Sequence, residues 1–310
     1  MKFQYVAILG TGGTIAGTAG NGCDNIAYTA ARLGIEQLLQ KVPAIKRCGP
    51  LIAEQVMQVD SRDMSFAAWA LLAVRVNHFL AREDVRGIVI THGTDTLEET
   101  AYFLHLDCRP AKPVVLTCAM RPATALLSDG PQNLLDSVAV ARQEGASGVL
   151  VVCAGTVHSA SEVQKVHPYK LDAFGSGDAG PIAYIEEGCL RILRNWPDTQ
   201  QGQASPAIEN VAEWPRVEIV MSYAGATGSI VDALVAQGVK GLVVAGTGNG
   251  TIHHALLAAL LKAQTAGVKV LRATRCLNGT VLAMPGDLIP DSNGLSPVKA
   301  RVALMLELMR

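Results

Sequence analysis

Two short segments set hydroxyl, carboxylate and imidazole groups beside glycine, the residue types that nucleophilic and acid–base chemistry requires. In the first, Val6-Ala7-Ile8-Leu9-Gly10-Thr11-Gly12-Gly13-Thr14-Ile15-Ala16-Gly17, an apolar run breaks into a glycine-dense turn that presents Thr11 and Thr14. The apolar half reads as a buried strand, too short for an ordinary helix. Glycines without Cβ let the following backbone bend and approach a ligand closely, and β-branching leaves Thr14 few χ1 choices, so its hydroxyl can be aimed. A dinucleotide-binding loop fails on spacing, because Ile15 stands where the third glycine of G-x-G-x-x-G belongs. A plain strand-to-helix connection without chemistry is the bland alternative. In the second segment the short strand Gly87-Ile88-Val89-Ile90 delivers Thr91-His92-Gly93-Thr94-Asp95-Thr96, and Thr96-Leu97-Glu98-Glu99 has the spacing of a capping box. Both polar clusters fall at C-terminal strand ends, where open α/β sheets bind ligands. Whether the two strands are neighbours cannot be read from their spacing.

The elements that must hold these groups alternate strand and helix. A helix beginning near Gly34 leads to a strand over 52–59 that ends in Asp60-Ser61-Arg62-Asp63-Met64, and a helix over 66–81 is capped by Asp63 or Ser65. Strands over 113–118 and 149–153 flank a helix over 132–144, which is the β/α alternation of a parallel sheet covered on both faces. Short extended pieces follow, with Glu187-Gly188 as a hairpin turn. Residues 17–31, rich in Gly and Asn around Tyr28, read as a mobile surface loop of the kind that closes over a site. The polar stretch 195–215 reads as a linker. Beyond it comes a smaller β/α unit: strands at 217–221 and 241–245, a helix over 230–237 ended by Gly238, an Ala/Leu-rich helix that opens after Gly246-Thr247-Gly248-Asn249-Gly250 and stops at Gly267, and a last helix over 298–309. The expected fold class is therefore α/β, with a larger N-terminal parallel-sheet three-layer domain (1–194), a linker (195–215) and a smaller C-terminal α/β domain (216–310).

Composition bounds the partners. A chain of 310 residues, 49% hydrophobic and 17% charged, builds substantial cores. Lys plus Arg (26) balance Asp plus Glu (27), and a pI near 6.7 leaves no electrostatic footprint for nucleic acid or an anionic membrane. The seven cysteines form no C-x-x-C pair and read as buried, reduced thiols. No run approaches the ~18 apolar residues of a membrane helix, and the apolar N-terminal segment runs into the Thr14 turn, so a signal peptide cut there would remove the site. A soluble cytoplasmic protein acting on a small polar substrate is expected.

TGGTIAG at 11–17 together with THGTDTLEETA at 91–101 resembles the bacterial-type L-asparaginases, including the glutaminase-asparaginases. The likeness continues through Ala119-Met120-Arg121-Pro122, Asp129-Gly130-Pro131 and Gly248-Asn249-Gly250. It implies hydrolysis of L-asparagine, and by extension L-glutamine, through an acyl-enzyme on Thr14. It makes Tyr28 the partner that takes the Thr14 proton, since a neutral hydroxyl is a weak nucleophile. It makes Thr94 a second catalytic threonine paired with Lys165. A lysine serves as a base only where burial or neighbours lower its pKa. Asp95 would hold the substrate α-ammonium by a charge-assisted contact, and Ser61 the α-carboxylate. Backbone N–H groups around Thr94, or a water, would serve as oxyanion donors. No cofactor or metal is implied, and the assembly implied is a homotetramer built as a dimer of dimers.

Three departures stand out. Gly225 follows Tyr223-Ala224 where an asparagine is common, the segment 276–290 is short with Asp287 its only acid, and Arg62 replaces a small or amide side chain after Ser61. In many members an acid from a neighbouring subunit orients the tyrosine, so the third member of the Thr14–Tyr28 group is open. Arg62 is either a substrate-binding group that shifts the preference between asparagine and glutamine or a solvated arginine. A non-catalytic asparagine sensor is the rival from another class. A metal hydrolase built on His92 and Asp95 fails on ligand count, because no third donor lies nearby and His253 and His254 on a helix would point about 100° apart. An amidotransferase subunit with the same motifs would carry an extra N-terminal domain.

Overall fold

A computed structural model describes residues 4–197 and 214–310. The chain divides into two compact units, Met1–Ser205 and Pro206–Arg310. Most of the expected linker, residues 198–213, lies outside the described residues.

In the larger unit, strand β1 (Tyr5–Gly12) is inaccessible from Val6 to Leu9, as a strand covered on both faces must be. Residues 17–31, expected as a loop, contain instead an antiparallel ribbon, β2 (Thr18–Ala19) against β3 (Tyr28–Thr29), with Ala19 opposite Tyr28. Its tip is shaped by Asn21 and Asp24, whose side chains accept from the N–H groups of Cys23, Ile26 and Ala27. Helix α1 (Ile35–Gln40) leads to β4 (Leu51–Val59), and α2 (Phe66–Leu80) is capped by Ser65, not Asp63, through Ala68 N–H. Then come β5 (Val85–Thr91), α3 (Leu97–Cys108), β6 (Val114–Thr117), α4 (Gly130–Arg142) and β7 (Val149–Cys153). The unit closes with β8 (Thr156–Ser159), the small ribbon β9 (Gln164–Lys165) and β10 (Phe174–Gly175), and the hairpin β11 (Ala183–Glu186) and β12 (Cys189–Ile192). That hairpin turns at Glu187 and Gly188, both at positive φ, which matches the right-handed twist of its strands.

The sheet order is β12-β11-β8-β7-β6-β5-β1-β4, parallel from β7 to β4 and antiparallel beyond. Val6 and Ile8 of β1, Val89 of β5 and Val115 of β6 share one core with Ile35 and Leu38 of α1 and Leu134 and Val138 of α4. Alternate residues face the side where α2 and α3 pack together, with Trp69 stacked on Phe103 and donating to Thr100. The order has a functional consequence. From β1 the chain leaves toward β4, and from β5 it leaves toward β6 on the other side, so a crevice opens at the C-terminal ends of β1 and β5, the switch point at which such sheets take their ligands.

The smaller unit is a three-stranded parallel sheet, ordered β13 (Val217–Met221), β14 (Gly241–Gly246), β15 (Lys269–Thr274), with helices α5 (Ser229–Ala236), α6 (His254–Thr265) and α7 (Pro297–Glu307). Gly238 and Gly267, both at positive φ, follow α5 and α6 as expected. His253 lies outside α6 as its N-cap and accepts from Ala255 N–H, so its ring stacks on that of His254 at 4.4 Å instead of pointing away. The cysteines are all free, but only Cys108, Cys118 and Cys153 are buried. Cys23, Cys189 and Cys276 are exposed, because they fall on turns and a sheet-edge hairpin, not on the apolar runs.

Candidate active site

The two glycine turns interlock. Strands β1 and β5 are direct neighbours with Gly10 opposite Thr91, and Thr11 donates its hydroxyl proton to the Thr91 carbonyl at 2.8 Å. Past the strand ends the turns touch backbone to backbone: a Cβ on Gly13 would lie 2.3 Å from Gly93 N, and one on Gly93 would lie 2.3 Å from Ser61 Oγ. Gly13 N–H donates to Val59 O at 2.9 Å, which ties in the end of β4. Side chains at positions 13 and 93 are thus excluded by contact, and Gly13 also has φ 78 and ψ −172, a region reserved for glycine.

Thr14 opens a single 3-10 turn, Thr14–Ala16, and is buried. Its Oγ1 lies 2.7 Å from the Tyr28 hydroxyl, and either atom can be the donor. Tyr28 is brought there by the ribbon. Beyond β3, Ala31 N–H returns to Gly13 O at 3.0 Å, and Arg32 and Leu33 N–H return to Ala16 O at 2.8 and 2.9 Å. A Cβ on Gly17 would meet the Tyr28 ring at 3.0 Å and Thr14 O at 2.9 Å, so glycine there leaves room for the ring beside the turn.

Across the crevice, Lys165 Nζ donates to Thr94 Oγ1 at 2.8 Å and to Asp95 Oδ1 at 2.7 Å. Lys165 sits on β9, opposite Phe174 of β10, and its side chain is 19% exposed whereas that of Asp95 is 53% exposed. One carboxylate oxygen is thus engaged while the group still faces solvent. Ser61, at the end of β4, accepts from Asp95 N–H at 3.2 Å. The Thr96 hydroxyl donates to Ser61 O at 2.7 Å, and the expected capping box therefore does not form: Thr96 is the N-cap of α3 without a side-chain cap bond, its oxygen having turned to a residue 35 positions away. Arg62 points its guanidinium at Asp60 (3.2 Å) and Asp63 (3.6 Å) with its side chain 72% exposed.

His92 has a part that its sequence context did not suggest. It is fully buried, and burial pushes its pKa down to about 4 against the opposing pull of the Gly93 carbonyl. Neutral at ordinary pH, the ring meets a carbonyl through Nδ1, 2.7 Å from Gly93 O, which makes Nδ1 the protonated nitrogen. In a planar trans peptide the C=O and N–H point opposite ways, so holding Gly93 O aims Thr94 N–H away from the ring. Among the described residues no group of three His, Cys, Asp or Glu side chains is placed to hold a metal ion.

The structure thus gathers Thr14 with Tyr28, and Thr94 with Lys165, Asp95 and Ser61, on the ends of β1, β4 and β5 and on two small ribbons. It turns Arg62 to its own neighbours. Residues 5–198 match the family model described as the N-terminal asparaginase domain, and residues 216–310 that of the glutaminase/asparaginase C-terminal domain. The chain is 40% identical over 312 residues to L-asparaginase 2 of Bacillus subtilis (strain 168), covering 98% of this chain and 82% of that protein. It is 36% identical to the glutaminase-asparaginase of Pseudomonas fluorescens biotype A, covering 100% and 87%. Its fold is similar to the crystal structure of a probable cytoplasmic L-asparaginase from Campylobacter jejuni, with a TM-score of 0.93, 38% identity and coverage of 99% and 95%.

Proposed function

The chain belongs to the asparaginase family, and from that premise we propose that it hydrolyses the side-chain amide of L-asparagine to L-aspartate and ammonia through an acyl-enzyme on Thr14. The observation that carries the reading is the 2.7 Å contact between Thr14 Oγ1 and Tyr28 OH at the switch-point crevice, facing a second hydroxyl, Thr94, held by Lys165. Thr14 Oγ1 attacks the amide carbon as its proton passes to the Tyr28 oxygen and the phenol hands its own proton on to the amide nitrogen. The C–N bond breaks, and the proton leaves with ammonia. Water then attacks the ester carbon and Thr14 recovers its hydrogen. Oxyanion charge in both steps falls to Thr94 N–H, which has no protein acceptor among the described residues. Thr94 Oγ1 accepts from Lys165 and gives its own proton only to a long 3.5 Å contact with Asp95 Oδ1, which a substrate in the crevice can replace.

Substrate binding follows from what remains unused. The exposed side of Asp95 receives the α-ammonium. Ser61 accepts from Asp95 N–H and keeps its hydroxyl proton for the α-carboxylate. Activity on glutamine as well is the nearest alternative, since a pocket discriminates only modestly over one methylene; the ratio of kcat/KM for the two amides decides it. The sensor reading draws on Asp287, which is committed to Arg272 and Met284 N–H, and predicts calorimetric binding of asparagine with no ammonia. The assembly we infer is a tetramer of paired dimers, supported by the exposed Leu277, Leu282, Met284 and Leu288 of the smaller unit and testable by light scattering. A cytoplasmic location is supported by the likeness to the Campylobacter jejuni protein, a probable cytoplasmic L-asparaginase; no helix among the described residues is long and apolar enough to cross a membrane.

The deciding experiment is Thr14→Ala with a coupled ammonia assay, together with mass spectrometry of wild-type enzyme quenched on a slow substrate. A folded T14A protein without turnover, and an aspartyl adduct on residue 14 of the wild type, are expected. Retained turnover, or the adduct on another side chain, would refute the mechanism.

A further inference from the structure

We propose that Asp129 is a positioning residue for the Thr14–Tyr28 pair, acting through the loop 119–130 that it closes; the inference rests on the roles assigned above to those two side chains. The Asp129 carboxylate accepts from Met120 N–H at 2.9 Å, from Arg121 N–H at 3.0 Å and from Asn133 Nδ2 at 3.3 Å. Asn133 is buried. It donates to Cys118 O and accepts from Ala154 N–H, both at 3.0 Å, and so ties the anchor to the ends of β6 and β7. Arg121 Nη1 braces the loop from within by donating to Leu127 O at 3.0 Å.

From this frame three hydrogen bonds reach the ribbon: Ala123 N–H to Gly17 O at 2.9 Å, Leu126 N–H to Gly22 O at 3.0 Å, and Ala19 N–H to Thr124 Oγ1 at 2.8 Å. The same loop lies against the nucleophile's own turn, since a Cβ on Gly130 would come within 2.9 Å of Ile15 Cγ1. The ribbon needs such support. Its strands are two residues each, and an isolated two-stranded ribbon is at best marginal in water. Ala19, whose N–H the loop captures, pairs directly with Tyr28, so the bond holds the residue opposite the phenol.

Asp129→Asn removes an acceptor. The amide keeps one oxygen for two N–H groups and turns its own donors toward the other, which leaves a donor facing a donor. Loss of Tyr28 aim predicts a fall in kcat on the order of tenfold or more, given that misplacement of about 1 Å costs on the order of a hundredfold. KM for asparagine should stay within about threefold, because Ser61 and Asp95, which hold the substrate ends, bond to each other and not to this loop. In a Tyr28→Phe background the same change should add little, since the two act through one group. Amide exchange at Ala19 and Ala123 should speed up while the β1 amides stay protected. Thr124→Val, which deletes only the acceptor for Ala19 N–H, should lower kcat in the same direction by a smaller factor, and it carries the test if D129N does not fold. Wild-type kcat in D129N, an undiminished loss when D129N is added to Y28F, or a T124V enzyme with unchanged kcat and unchanged Ala19 exchange would each overturn the positioning role. Failure of the chemistry itself would appear separately, as turnover retained by T14A.

Discussion

Gly13→Ala is a one-methyl change that tests whether the site depends on two turns touching. The new Cβ would sit 2.3 Å from Gly93 N and 2.4 Å from Gly93 Cα, both backbone atoms, so no flexible side chain can move aside. Reaching an ordinary contact of 3.4 Å requires the Thr14 and Thr94 turns to part by about 1 Å. Misplacement of that size costs on the order of a hundredfold in rate, or about 2.7 kcal/mol of transition-state stabilisation. Stability falls too, by about 1–3 kcal/mol for a side chain at φ 78 and ψ −172 and about 1–3 kcal/mol for the overpacked contact. Steady-state kinetics with asparagine and a urea unfolding curve read the two effects. The control is Gly20→Ala, where a Cβ meets nothing within 4 Å and φ carries no constraint. It should match wild type in both. A G13A enzyme within threefold of wild-type kcat and with an unmoved unfolding midpoint would refute the argument that interlocked glycines set the distance between the two threonines.

Two further outcomes follow from the geometry. His92 is held down to about 4 from an ordinary 6.5, so the folded state binds fewer protons than the unfolded one between those values. Its contribution is complete above about pH 6.5 and is lost as pH falls toward 4, about 3 kcal/mol in all; urea titrations across that range should show the slope, and H92Q should flatten it. An unchanged slope in H92Q would assign the titration elsewhere. Lys165→Met removes the only donor seen on Thr94 Oγ1 among the described residues and should lower kcat by roughly 10²–10⁴-fold, with the Thr14–Tyr28 contact intact; activity within tenfold of wild type would remove Lys165 from the chemistry.

Read alone, the sequence determined the elements and most of their ends. Periodicity and apolar runs report which segments are buried, and glycines after α5 and α6 mark where helices stop, because these are local properties of the chain. It also placed Thr14 and Thr94 at strand ends, since a short apolar run that breaks into glycine is itself a local signal. What the tertiary structure decided is every relation between distant segments. That β1 and β5 are neighbours, although β4 lies between them in the chain, follows from strand order, which spacing does not encode. Thr96 carries a capping signature yet gives its hydroxyl to Ser61, because a carbonyl brought in by another strand competes with the local partner. Tyr28 looked like part of a loop because strands of two residues have no periodicity to read; external bonds from the 119–130 loop make them a ribbon. Lys165 would pass for a surface lysine in its own segment, and it joins the candidate site only where folding sets it against a threonine and an aspartate that lie 71 and 70 residues earlier.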